Sequence, residues 1–212
     1  MKNKKWLLVL IIAFPSLFWL ILETSTINSR KLPYYGPKVP LEKGDTVFYE
    51  VSAPYLAEAR QKPFFNSERQ LYTICFLAEA YRDDAYRLTG LWEYLNYKRS
   101  KIAPLPVILI AEKNAGHQVK AELSKLEEHE NVVMIEMPTA TFKPLRDSYF
   151  KEKPYYIDYS FFLLIDADKH VRGYYDARYV SEIKRLLEEY QHLRLKEEKQ
   201  LMIKNNEIRS DN

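Results

Sequence analysis

"LLIDADKHVRGYYD", residues 163–176, decides how the rest of the chain is read. An apolar run stops at the carboxylate of Asp166, turns through Ala167, Asp168 and Lys169, and resumes as an Arg-Gly-aromatic run. Two strand-forming segments with so short a polar link predict a β-hairpin, with Leu163–Ile165 in a sheet and Gly173 permitting a close approach to its backbone. Asp166, Asp168, His170 and Arg172 are polar groups that an active-site edge also carries. The hairpin reading assigns them to the turn and its flanks instead.

Upstream, apolar runs alternate with amphipathic ones. "RQLYTICFLA" (69–78), "APLPVILIAE" (103–112) and "NVVMIEM" (131–137) are bounded by polar residues and predict buried strands. Between them, residues 83–98 place Leu88, Leu91, Trp92 and Leu95 at helical spacing, and 118–130 form a second amphipathic stretch. Asp83 and Asp84 suit a helix N-terminus, where carboxylates meet the positive end of the dipole. "FKPLRDSYF" predicts a short helix. After the hairpin comes a long helix from Ser181, with Ile183, Leu186, Leu187, Tyr190 and Leu193 as its buried stripe. The order β-α-β-α-β-(α)-β-β-α implies an α/β domain with parallel strands and one late antiparallel hairpin, the arrangement of the thioredoxin-like fold.

Composition fits one such domain. Of 212 residues 47% are apolar, with 17 Tyr and 10 Phe, enough for a sizeable core. The 32 basic and 29 acidic residues are interspersed, so no concentrated basic face points to nucleic acid. Five glycines, with no G-x-G-x-x-G or Walker pattern, argue against a phosphate-cradling loop. The single cysteine, Cys75, excludes an internal disulfide or a C-x-x-C centre.

The N-terminus sets the expected compartment. A basic flank (1–5) precedes "WLLVLIIAFPSLFWLIL" (6–22), which carries no charge. At about 1.5 Å per residue the run approaches the length needed to cross a ~30 Å hydrocarbon core. No small-residue cleavage site follows it, which favours an uncleaved anchor over a signal peptide. Lys2, Lys4 and Lys5 against Glu23 put the N-terminus in the cytoplasm and the domain outside, in the periplasm of a Gram-negative host. Residues 23–43, with three prolines, read as a stalk, 44–195 as the domain, and 196–212 as a polar tail.

Two stretches resemble Sco-type proteins, particularly those of Bacteroidota: "KLPYYGPK…GDTVFYEV" in the lead-in and "SFFLLIDADKHVRGYYDARYVSEIKRLLEEYQHL" near the C-terminus. The resemblance spans residues 31–195. It implies a membrane-anchored thioredoxin fold with a role in copper delivery and thiol redox during cytochrome c oxidase assembly. That chemistry needs a C-x-x-x-C loop and a histidine, soft ligands for copper whose thiols also exchange. The corresponding positions here hold Tyr81, Ala85 and Asp158. The resemblance therefore implies a degenerate member with no catalytic residue, cofactor or metal, acting through a protein partner in respiratory or copper-site assembly.

Residual chemistry has few candidates. Cys75 lies inside an apolar strand and reads as a small core hydrophobe. His117, His129, His170 and His192 read as solvated surface residues, and Met134 as core rather than, with Met137, a thioether ligand. Glu79, Asp83, Asp84 and Asp158 form a possible hard-cation set if the site has changed rather than emptied. Copper binding through unfamiliar ligands and a thiol oxidoreductase or peroxidase centred on Cys75 are the alternative functions. Tyr155, Tyr156, Tyr159, Phe161, Tyr174, Tyr175 and Tyr179 supply material for a contact surface, with core filling the competing role.

Overall fold

A computed structural model describes residues 32–41, 45–65, 67, 69–77, 105–113, 130–158 and 161–210. One compact unit spans Leu32–Asn212. Its centre is a five-stranded sheet of β3 (Tyr72–Leu77), β4 (Val107–Glu112), β5 (Val132–Met137), β6 (Phe162–Ile165) and β7 (Val171–Tyr175), in the order β5-β4-β3-β6-β7. β3 is central, parallel to β4 and antiparallel to β6; β4 and β5 are parallel, and β6 and β7 form the antiparallel hairpin. Parallel strands followed by an edge hairpin antiparallel to the central strand make this a thioredoxin-like α/β fold with a mixed sheet. The expected helices at 83–98 and 118–130 lie outside the described residues, as does Trp6–Leu22. Among the described residues no helix is long and apolar enough to cross a membrane.

Alternation along β3 splits the core in two. Leu71, Cys75 and Leu77 face one cluster with Leu109, Leu164 and the stripe of α3 (Val180–Ser210): Ile183, Leu186, Leu187, Tyr190 and Leu193. Tyr72, Ile74 and Phe76 face the other, with Phe142, Leu145 and Tyr149 from α2 (Thr139–Tyr149) and Tyr55, which immediately precedes α1 (Leu56–Ala59). Covered on both faces, β3 and β4 are buried at every position, which is why they read as unbroken apolar runs rather than alternating ones.

Two segments differ from the sequence expectation. Residues 32–41, read as stalk, belong to the compact unit: β1 (Lys38–Pro40) pairs antiparallel with β2 (Thr46–Phe48), and Leu32 is buried. Exposed strands with two prolines nearby carry no periodicity, so only long-range contacts reveal them. The tail expected from 196 onward continues α3 to Ser210, beyond the part of the helix that meets the core.

Within the hairpin, Asp166 organises the turn. Its Oδ1 accepts the backbone N–H groups of Asp168 (3.1 Å) and His170 (2.8 Å), and Lys169 takes the left-handed conformation at φ 64°. Gly173 is required for a side-chain reason rather than the expected backbone approach. A Cβ there would meet the ring of Tyr175, two residues on and on the same face, at 2.6 Å from Cζ.

Candidate functional site

Four polar constellations stand out in this frame, and none is the dithiol site of the resembled family. The first surrounds Cys75, at the middle of the central strand. Its side chain has no exposed surface, and burial, with a smaller contribution from the carboxylate of Asp158, pushes the thiol up to about 12. A thiol so held carries almost no thiolate near neutrality and is a poor nucleophile. Asp158 is half-buried in the loop before β6, where its carbonyl accepts the Phe161 N–H at 3.2 Å. Tyr81, Ala85, Glu79, Asp83 and Asp84 lie outside the described residues. Among the described residues no three His, Cys, Asp or Glu side chains gather as a metal-binding group would. Met134 and Met137 pack into opposite core clusters, on opposite faces of the sheet, so they do not converge on one ligand.

The second constellation ties the lead-in to the hairpin. Arg172 is buried, its Nη1 3.0 Å from Asp166 Oδ2, and it donates to Pro33 O (3.1 Å) and Leu32 O (2.8 Å). Its guanidinium lies 3.8 Å from the centroid of Tyr34, whose other neighbour is Phe48, stacked at 3.8 Å. His170 was expected in solvent. Instead its Nδ1 sits 3.3 Å from Asp166 Oδ2, with its ring edge-on to Tyr34 and Phe48. The motif's polar residues thus serve as a clamp: Asp166 neutralises Arg172, and Arg172 satisfies two carbonyls of the arriving chain. This is an architectural device, as the hairpin reading implied.

Beneath the other face of the sheet, Tyr149 donates to Ser52 O at 2.9 Å and is hydrogen-bonded to Tyr55, which lies 3.0 Å from the Tyr72 hydroxyl. The carbonyl at one end fixes the order of donation: Tyr72 to Tyr55, Tyr55 to Tyr149, Tyr149 to Ser52. Desolvation raises the pKa of all three phenols, Tyr72 to about 12. Sequence reasoning missed this chain. The available signal was a tyrosine at the start of a fully buried strand, whose hydroxyl must find a partner.

The fourth constellation is open to solvent. A cleft of about 390 Å³ lies between the loop before β6, the edge strand β7 and the start of α3. Tyr35 from the lead-in, Tyr156, Ile157, Phe161, Tyr174 and Tyr179 form its aromatic and apolar wall. Tyr35 and Tyr174 meet edge to face at 4.9 Å. Of its carboxylates, Glu182 pairs with Arg185 of the lining at 2.7 Å, and Asp176 accepts two bonds from Nε of neighbouring Arg178 at 2.8 and 2.9 Å. Arg185 also donates to Tyr174 O at 2.7 Å. The seven aromatics noted in the sequence divide here. Tyr174 and Tyr175 are buried, Phe161 is half-buried against the core, and Tyr155, Tyr156 and Tyr179 are 97%, 64% and 57% exposed; Tyr159 lies outside the described residues. Exposed aromatics beside a concave wall are what a contact surface offers.

No protein-family model matches the chain, and no curated protein matches it. Among solved structures it is similar to the thioredoxin domain of a thiol-disulfide oxidoreductase from Bacteroides vulgatus, at 11% identity and a TM-score of 0.38, covering 76% of this chain and 99% of that one. It is also similar to a thiol:disulfide interchange protein from Bacteroides sp., at 10% identity and a TM-score of 0.35, covering 76% and 92%. The strand order, not these superpositions, carries the fold assignment.

Proposed function

We propose that this chain is a membrane-anchored, periplasm-facing, Sco-like thioredoxin-fold protein that works by binding another protein and performs no thiol or copper chemistry. The observation that supports it is Cys75: the chain's one thiol is sealed inside the central strand and held far above neutral pH in its ionisation. The exposed aromatic cleft supplies the surface that such a role uses. Trp6–Leu22 is the proposed anchor, and by the resemblance the partner belongs to respiratory-chain or copper-site assembly. The test is a pair of assays on the full chain in detergent. Disulfide reduction of a model substrate and Cu⁺ titration against a chelator should both give the values of the Cys75→Ala variant. Reductase activity or tight Cu⁺ binding that disappears in Cys75→Ala would overturn the reading.

A further inference from the structure

Resting on the membrane-anchor reading, we infer that the β1–β2 ribbon docks on the bilayer that holds the anchor, with Val39, Leu41 and Val47 dipping into its acyl boundary. Val39 and Val47 are direct cross-strand partners and so share one face. Leu41, two residues beyond Val39, continues that face, and its N–H donates to Asp45 O at 2.8 Å, which extends the ladder by one pair. These aliphatic side chains are 58% (Val39), 50% (Leu41) and 50% (Val47) exposed. The opposite face carries Phe48, half-buried by stacking on Tyr34 and set edge-on to His170. The ribbon is thus fastened to the domain through Phe48 and leaves its aliphatic face largely open.

Chain length and charge select the bilayer as the occupant. Leu32, where the compact unit begins, follows Leu22, the end of the apolar run, by ten residues. Ten residues reach at most about 35 Å, so the tether holds the domain beside lipid at a high effective concentration. Three aliphatic side chains are too few for a stable protein interface, which takes about 20–30 residues a side. They suffice for a surface kept near by covalent linkage, because the freedom lost on association is already lost at the anchor. Around them Arg30, Lys31, Lys38 and Lys43 outnumber Glu42 and Asp45, an excess that suits anionic headgroups. A strand from another protein fits less well. Pro40 in β1 and Pro37 just before it lack the N–H groups that a pairing edge needs.

The experiment places an environment-sensitive fluorophore on single introduced cysteines of the full chain, reconstituted in vesicles of neutral and anionic phospholipid. Cys75 is sealed in the core, so the unsubstituted chain should take up no label. Labels at Val39→Cys and Val47→Cys should be quenched by nitroxide lipid about threefold or more as strongly as a label at Thr46→Cys, on the other face of the same strand. Val39→Glu should bring quenching at position 47 down to the level at position 46. All these side chains are exposed, so circular dichroism should show each variant folded. Equal quenching at positions 46 and 47, or none at either, overturns the inference. So does a label at position 47 that is shielded from iodide in native membranes yet open to it in protein-free vesicles, since a protein then covers the ribbon. A label at Ala13→Cys, inside the apolar run, separates this failure from that of the anchor. Deep quenching at position 13 with none at position 47 removes the docking alone, and none at either removes both.

Discussion

Gly173→Ala is the substitution that reads the hairpin most sharply. Gly173 is not in the left-handed region, so alanine can adopt its backbone without strain. On that ground alone the exchange should stabilise by roughly 0.5–1 kcal/mol, because glycine loses more freedom on folding. The added methyl, however, would lie 2.6 Å from Cζ and 2.7 Å from Cε2 of Tyr175, with the hydroxyl closer still. Carbon atoms rest at about 3.5–4.0 Å, so the ring must retreat by about 1 Å. It has nowhere easy to go: Tyr175 is fully buried, its hydroxyl bonded to Glu189 and its face 4.6 Å from the Arg185 guanidinium. Overpacking of this kind costs about 1–3 kcal/mol, and a lost hydrogen bond to a carboxylate about 1.5–3 more if the ring swings out. The clash wins, and a net loss of about 1–4 kcal/mol should appear in urea denaturation. The Tyr175→Ala background makes the argument testable beyond its sign. There the obstacle is gone, and Gly173→Ala should become neutral or stabilising. An equal cost in both backgrounds would refute the packing explanation of the glycine.

Arg172→Met strands the buried carboxylate of Asp166 and releases the carbonyls of Leu32 and Pro33, so it should cost about 3–5 kcal/mol by denaturation and speed hydrogen exchange at the Tyr35 amide. The double variant Asp166→Asn/Arg172→Met should be less damaging than Arg172→Met alone; equal loss would mean the charge is not what matters. In the tyrosine chain, Tyr149→Phe leaves the Ser52 carbonyl and the Tyr55 donor without partners and should cost about 1–3 kcal/mol. Tyr72→Phe removes only the terminal donor and should cost about 1; a reversed ranking would refute the assigned direction. Stability should also fall with alkalinity. The Cys75 thiol ionises near 9.0 when unfolded and about 12 when folded, so the unfolded state releases its proton first and stability declines as pH rises from 9 toward 12. Cys75→Ala should flatten the start of that decline, before the buried tyrosines, Tyr72 among them, add theirs from about pH 10; an unchanged profile would contradict the assignment.

The sheet was legible because its central strands are covered on both faces, which turns burial into unbroken apolar runs such as that from Tyr72 to Leu77. The α3 stripe was legible for the same reason at helical period: all five expected residues are buried. The lead-in was not, because its attachment lies in the contact of Arg172 with residues some 140 positions away. Local composition records only the prolines. Nor does sequence say which tyrosines face water. Tyr174 and Tyr175 are adjacent and point to opposite faces, yet both are buried because β7 is covered on each side, while Tyr155 and Tyr156 sit exposed in a turn. The loss of the family's thiols was visible as absent letters. The cleft was not, since its wall is assembled from four separated segments.

Contact and the absence of thiol chemistry are tested together by one measurement. A photo-cross-linking amino acid at position 156 in the full chain, irradiated in its native membranes, is compared between the otherwise wild-type chain and its Cys75→Ala variant. The same cross-linked partner should form in equal yield in both. No cross-link in either, or one that requires Cys75, would contradict it.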